Sequence, residues 1–316
     1  MSVGPATPET RYEPVFGWAK VPHGMRFVEA TSVGVDSQDR VYVFNRGPDP
    51  MMVFDRDGNL LTSWGRGMFR RPHDVTVDGD DNLWLADDMD HTVRKTTLDG
   101  EVLMVLGTPG EPAPAHQGGI FNRPTHVAVH PTTGEVFVSD GYGNSHIHKF
   151  DRNGGHIRTW GGPGSDPGQF SLPHNVCMAG EDRVVVCDRE NFRMQMFTTD
   201  GEFVKQWHMH RPMGLDVGKG EDTNIYVCEA GAPPVMAGVP NLGQRVKVLD
   251  RDGDEVLRFG NALAGEGPDQ FLAPHSVAVD SRGDVYVAEV SYTAYGSRQD
   301  PPREVVSLRK WRRVSG

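Results

Sequence analysis

The stretch HVAVHPTTGEVFVSDGYGNSHIHKFDRNGGHIRTWG, residues 126–161, decides the fold. Apolar and polar residues alternate in HVAV and again in VFVSD, on either side of the turn PTTG. A period of two on both flanks of a turn is the signature of a β-hairpin. A third apolar run, IHKF, follows. Then come the turn DRNG and a fourth run that ends in an aromatic and a glycine, IRTWG. Four short strands joined by tight turns make one antiparallel sheet.

The same pattern recurs outward in both directions. Paired-strand segments stand at SVGVDSQDRVYVFNR (32–46), DVTVDGDDNLWLADD (74–88), NVCMAGEDRVVVCDRE (175–190), GLDVGKGEDTNIYVCEA (214–230) and SVAVDSRGDVYVAEV (276–290). Third and fourth strands recur in MVFDRDGNLLTSWG (52–65) and VKVLDRDGDEVLRFG (246–260). Six four-strand units predict an all-β fold, a six-bladed β-propeller, which leaves few open sheet edges. The segment EVVSLRKWRRV (304–314) reads as a third strand with no fourth, and RYEPVFGWAKV (11–21) as a fourth with nothing before it. The N-terminal strand is therefore expected to complete the last blade and close the ring. The chain, 1–316, is read as a single domain, with the propeller running from about residue 11 to 314.

Composition agrees. The 38 glycines and 23 prolines suit a turn-rich β chain. A net charge of −11 argues against nucleic acid or an anionic membrane as a partner, although a local arginine cluster can still hold a small anion. No apolar run is long enough to span a bilayer, and the first residues lack the pattern of a secretory leader. Three cysteines, Cys177, Cys187 and Cys228, form no paired framework. These features together predict a cytoplasmic protein.

Three Pro-His steps, Pro72-His73, Pro173-His174 and Pro274-His275, each open a unit, and the intervening units carry Thr125 and Met213 at that position. In a six-bladed ring these histidines fall in blades two, four and six, around one axis. Three imidazoles with an open fourth position form the ligand set of a catalytic zinc; iron or cobalt fits the same ligands, and calcium does not. A Pro-His step can also be a favoured turn of the repeat, but its restriction to alternate blades favours the metal. His146 with His148, and His208 with His210, are read as pairs on solvated strand faces. DRDG at 55–58 and 250–253 is read as a tight turn, not a calcium loop. The loop GGPGSDPGQ (161–169) has no lysine and no following helix, so it is no phosphate cradle.

The ends of the second strands carry unusual polar residues: Asn45-Arg46, Asp140-Gly141-Tyr142, and Asp188-Arg189-Glu190-Asn191. The aspartates at matched positions, Asp87, Asp140 and Asp188, can be turn formers of the repeat. The arginines can pair with neighbouring acids or hold a carboxylate through their planar fork. A tyrosine beside a metal and cations can take up a proton.

These residues resemble the NHL-repeat propellers and, among them, the peptidyl-α-hydroxyglycine α-amidating lyases. The resemblance is carried by RPTHVAVHPTTGEVFVSDGYGNS (123–145), GQFSLPHNV (168–176) and CDRENFRMQMF (187–197), and extends more thinly over all six blades. It implies zinc on His73, His174 and His275, Tyr142 as catalytic base, and Arg46 and Arg189 binding or polarising the substrate. The reaction it implies is cleavage of the N–Cα bond of a carbinolamide to an amide and glyoxylate. It also implies a calcium held by the carbonyls of Val33 and Val75 and by an aspartate directly after the third histidine. That position is Ser276, so calcium is not expected. The family's disulfides need cysteines where Gly143, Val185 and Met196 stand, so none is expected.

Peptide amidation also needs a copper hydroxylase that this sequence lacks. A small anionic carbinolamide or ureido acid is thus the expected substrate. Two other readings remain open: a propeller hydrolase or lactonase, against which the Pro-His set argues, and a non-catalytic NHL interaction module, which would hold no metal.

Overall fold

The computed structural model describes residues 3–231, 239, 242–261 and 263–314. They form six four-stranded antiparallel sheets, the blades of a six-bladed β-propeller, with almost no helix. Two compact units contain them, residues 67–212 and residues 1–66 with 213–316.

Unit 67–212 holds three blades. Blade 2 runs through Pro72–Val77, Leu83–Asp87, Thr92–Thr96 and Val102–Leu106. Blade 3 has His126–Val129, Val136–Asp140, His146–Phe150 and His156–Gly161. Blade 4 has Pro173–Met178, Arg183–Asp188, Arg193–Thr198 and Phe203–His208. The second strand of blade 3 is buried at every residue, because each face of the sheet meets a neighbour, blade 2 on one side and blade 4 on the other. Trp84, Ala86 and Val93 of blade 2 pack with Phe121, Val136, Val138 and Phe150 on the blade 3 side. Phe137 and Ile147 of blade 3 pack with Val184, Val186 and Phe197 of blade 4. A fully buried Phe or Val contributes about 1.5–3 kcal/mol, so this packing is the main hold between the blades. The fourth strands show mostly exposed residues, as outermost strands should.

The other unit holds blade 1 (Ala30–Val35, Val41–Asn45, Met51–Phe54, Leu60–Trp64) and blade 5, which begins at the boundary (Pro212–Val217, Ile225–Glu229, Arg245–Leu249, Glu255–Phe259). Blade 6 takes three strands from the C-terminal part, Pro274–Val279, Val285–Glu289 and Leu308–Val314, and its fourth from the N-terminus, Arg11–Val15. That strand pairs antiparallel with the last one, Arg11 opposite Val314 and Val15 opposite Lys310. The expected completion of the last blade by the first strand is what the structure has. Tyr12 stacks on Phe259 with centroids 4.5 Å apart, which anchors the strand to blade 5.

The two DRDG strings are turns between third and fourth strands. Gly58 N–H donates to Asp55 O and Gly253 N–H to Asp250 O, each at 3.0 Å. Among the described residues no helix is long and apolar enough to cross a membrane.

Candidate metal centre

In blades 2, 3, 4 and 6 the acidic residue that ends the second strand clamps the segment entering the first. Asp87 accepts the backbone N–H groups of Arg70 (2.7 Å) and Arg71 (3.0 Å), just before Pro72. Asp140 accepts Asn122 N–H at 2.8 Å, and Asp188 accepts Ser171 N–H at 2.8 Å. In the other unit Glu289 accepts Leu272 and Ala273 N–H, just before Pro274. Asp87, Asp140 and Asp188, read from sequence as turn formers, thus do more: Asp87, Asp188 and Glu289 fix the approach to the three Pro-His steps, and Asp140 the approach to Pro124-Thr125. Burial pushes Asp188 and Glu289 above the usual carboxylate range, even with Arg193 and Arg309 beside them.

The clamped steps deliver buried histidines. His73 is fully buried and its Nδ1 donates to the Thr125 carbonyl at 2.7 Å. A carbonyl oxygen only accepts, so Nδ1 carries the proton and Nε2 the lone pair. His174, also fully buried, has Nδ1 2.8 Å from Asn175 Oδ1. The Asn175 amide is oriented by donation from Nδ2 to Asp74 Oδ2 at 3.2 Å, so His174 too keeps its lone pair on Nε2. The two rings lie 5.1 Å apart.

Tyr142 stands against both. Its hydroxyl is 3.0 Å from His73 Nε2 and 3.3 Å from His174 Nε2, and one hydroxyl proton can serve only one of them at a time. The loop that brings it there is closely fitted. A Cβ at Gly141 would lie 2.3 Å from Pro173 O, and one at Gly143 would lie 2.2 Å from Asn122 Oδ1. Where the amidating-lyase pattern has a cysteine, position 143 has no room for a side chain.

Guanidiniums flank the tyrosine ring. Arg189 lies 5.9 Å from its centroid and pairs with Glu190 at 2.7 Å. Burial pushes Glu190 up, but Arg211 and Arg189 outweigh it and hold the carboxyl below its usual range. Arg123 lies closer, 4.7 Å from the centroid, and grips buried Asp88 through Nη2 at 2.6 Å. Arg71 shares the same Asp88 oxygen at 3.2 Å. Sequence reasoning missed Arg123. Its signal was the Arg-Pro dipeptide, which recurs at 71–72, 123–124 and 211–212.

In the other unit His275 is buried, and its Nδ1 donates to the Thr31 carbonyl at 2.7 Å, the same lock that His73 has on Thr125. As a donor set, His73, His174 and His275 could hold a metal ion. Arg46 pairs with buried Glu29, which also accepts Thr293 N–H at 2.8 Å. Val33 and Val75 are buried in the first strands of blades 1 and 2. Ser276 bonds Ser32 Oγ at 2.9 Å. A buried carboxylate does follow one Pro-His histidine directly, but it is Asp74 after His73.

One expectation fails. His148 was read as lying on a solvated face, yet it is fully buried, between Phe121 (5.5 Å) and Phe150 (6.4 Å). Both faces of blade 3 are covered, so a period of two could not say which side meets solvent.

Comparison with known proteins agrees with this architecture. The NHL repeat profile matches residues 121–150. NHL repeat-containing protein 3 of Mus musculus is 33% identical over 290 residues, covering 87% of this chain and 80% of that protein. The chain belongs to the NHL-repeat family, as a six-bladed propeller that resembles the amidating lyases. Peptidyl-alpha-hydroxyglycine alpha-amidating lyase 1 of Drosophila melanogaster is 34% identical over 254 residues, 74% of this chain and 45% of that one. The chain spans about a third of the length of the peptidyl-glycine alpha-amidating monooxygenases of Xenopus laevis that it also matches. A solved structural genomics protein from Bacteroides thetaiotaomicron shares the fold, with a TM-score of 0.67 at 17% identity over 97% of this chain and 77% of that one.

Proposed function

We propose that this chain is a metal-dependent lyase that cleaves the N–Cα bond of a small anionic carbinolamide, an N-acyl or N-carbamoyl α-hydroxyglycine, to an amide and glyoxylate. The observation that carries the reading is the Tyr142 hydroxyl seated between the Nε2 atoms of His73 and His174. The donor set fits a transition metal: imidazole nitrogens with the lone pair on Nε2, the partner nitrogen held by a carbonyl or amide oxygen. His73, His174 and His275 would hold it, and zinc suits three neutral imidazoles. Bound there, it supplies Lewis-acid polarisation of an oxygen.

The chain's own residues supply the rest. Arg189 and Arg123 beside Tyr142 would bind the substrate carboxylate, and Arg46 is the further candidate for polarising the reacting centre. Tyr142, as its phenolate, would accept the hydroxyl proton of the carbinolamide. As the O–H electrons form the carbonyl of glyoxylate, the N–Cα pair passes to the amide nitrogen. Tyr142 then returns the proton to that nitrogen, so no proton is gained or lost. Resemblance to relatives named as amidating lyases supports the reading.

A second reading is an interaction module, favoured by relatives named only for their repeats and matched over most of their length. Elemental analysis and glyoxylate release from α-hydroxyhippurate and ureidoglycolate separate the two. One transition metal per chain with release supports the lyase. A metal-free protein that releases nothing supports the module.

A further inference from the structure

Most of the clamping carboxylates are braced by a permanent cation. Asp87 has Arg94 Nη1 at 3.7 Å, Asp188 has Arg193 Nε at 2.7 Å, and Glu289 has Arg309 Nε at 2.5 Å. At the matched strand end of blade 5, Glu229 has Lys247 at 3.4 Å and Arg245 at 3.8 Å. Blade 3 departs. Asp140 is fully buried with no lysine or arginine in ion-pair range among the described residues; its basic partner is His148 Nε2 at 3.4 Å. The substitution is in register. His148 lies opposite Val138 as Arg94 lies opposite Leu85, Lys247 opposite Val227 and Arg309 opposite Val287. Blade 3 is the blade whose second strand leads into Tyr142.

We propose that His148, acting through Asp140, is the positioning residue for the Tyr142 loop, and that its proton sets how firmly that loop is held. The proposal rests on the catalytic reading of Tyr142. Asp140 Oδ2 accepts Asn122 N–H and Asn144 Nδ2, each at 2.8 Å, so this one oxygen ties both ends of the loop's seat. Its Oδ1 has no hydrogen-bond partner among the described residues. The clamp therefore depends on Oδ2 and on whatever charge faces it.

An imidazole can carry one proton or two, and His148 has a route for its second. Its Nδ1 is 2.8 Å from Thr159 Oγ1, which is 2.9 Å from Nε2 of exposed His156. A hydroxyl can donate or accept, so this bridge serves both protonation states without rearrangement. The titratable groups facing His148 are Asp140, His146 on its own strand at 6.4 Å and His156 on the next at 6.2 Å. Burial first, and repulsion from His148 among the lesser causes, lower the basicity of His146 and His156. Of the three imidazoles, His148 is the one against the carboxylate, where a proton would face Asp140 Oδ2. With it, the brace is a charge pair like those of the other blades. Without it, the brace is a neutral hydrogen bond.

The test uses His148→Arg, which makes the brace permanent, and His148→Gln, which makes it neutral at every pH. Glutamine is accommodated at this register in blade 4, where Gln195 Nε2 donates to Asp188 Oδ2 at 3.1 Å, so at least one variant should fold. Two quantities are followed from pH 5 to 9 on the metal-loaded protein: kcat and KM for glyoxylate release, and amide hydrogen exchange of residues 140–145, corrected for intrinsic rate. In wild type, kcat and loop protection should fall together as pH rises and the brace loses its charge, with KM little changed. His148→Arg should abolish both dependences. His148→Gln should also abolish them, with kcat lower on the order of tenfold at the acid end, since the loop then aims Tyr142 less well. Superimposable pH dependence of loop protection in wild type and both variants overturns the proposal. Absence of glyoxylate release at any pH overturns the lyase reading instead, and loop protection still judges the brace.

Discussion

Blades 2 and 3 open their first strands in the same way and put the result to opposite uses. After Pro72 comes His73, which offers a side-chain nitrogen; after Pro124 comes Thr125, whose backbone carbonyl takes the proton of His73 Nδ1. Blades 6 and 1 repeat the pairing as His275 and Thr31. One blade presents an imidazole and the next aims it. Aiming by a backbone carbonyl leaves no mark in the residue type and survives most substitutions. Blade 4 breaks this rule, because His174 is held by the side chain of its own neighbour, Asn175.

The comparison is broken most completely by removing a presenting residue. His73→Ala should reduce bound transition metal far below one per chain and bring glyoxylate release to background. The propeller should stay folded, since the apolar clusters of blades 2 to 4 do not include the histidine. Elemental analysis, circular dichroism and the assay, run on one preparation, check the three statements. Full metal retention would remove His73 from the donor set.

Next in size is Tyr142→Phe, which keeps the ring against both imidazoles and removes the hydroxyl. Turnover should fall on the order of 10²–10⁴ while metal content is unchanged. Full turnover in this variant would show that another group moves the proton.

The blades and the Pro-His steps were legible in sequence because each is a local, repeated signal: alternation of period two, and a dipeptide recurring at alternate units. What escaped notice depends on partners far along the chain. Asp87, Asp140 and Asp188 read as turn formers, since nothing local shows a carboxylate reaching a backbone N–H seventeen or eighteen residues upstream. Arg123 was hidden because its partners, Asp88 and the Tyr142 ring, come from a different blade and a different loop. His148 read as solvated because alternation reports two faces without reporting that neighbours cover both.

Arg123 and Arg189 sharpen the contrast at an intermediate scale. Lysine at either position keeps the charge and loses the fork. Arg189→Lys should raise KM for a carboxylate substrate about tenfold, with kcat within a few-fold, as loss of one charge-assisted bond implies. Arg123→Lys also loosens the hold on buried Asp88, so it should lower the melting temperature as well as raise KM. Equal melting temperatures for the two variants would mean that Arg71 alone suffices for Asp88.

The smallest effect, that of Thr125→Val, belongs to a test of the aiming itself. In blade 4 the aiming group is a side chain, so Asn175→Ala should remove it while leaving His174 in place. Loss of such a support costs about 10–100-fold in metal affinity. In blade 3 the aiming group is backbone, so Thr125→Val should leave affinity for added zinc within about twofold of wild type. That substitution does remove the Thr125 hydroxyl bonds to Ser139 O at 3.0 Å and Pro173 O at 3.1 Å, so a modest fall in melting temperature is expected. Competition titration of zinc against a chelator reads the two affinities directly. Asn175→Ala binding as tightly as Thr125→Val would mean that the His174 ring is held by its packing. The difference between the blades would then be one of sequence only, without consequence for the metal.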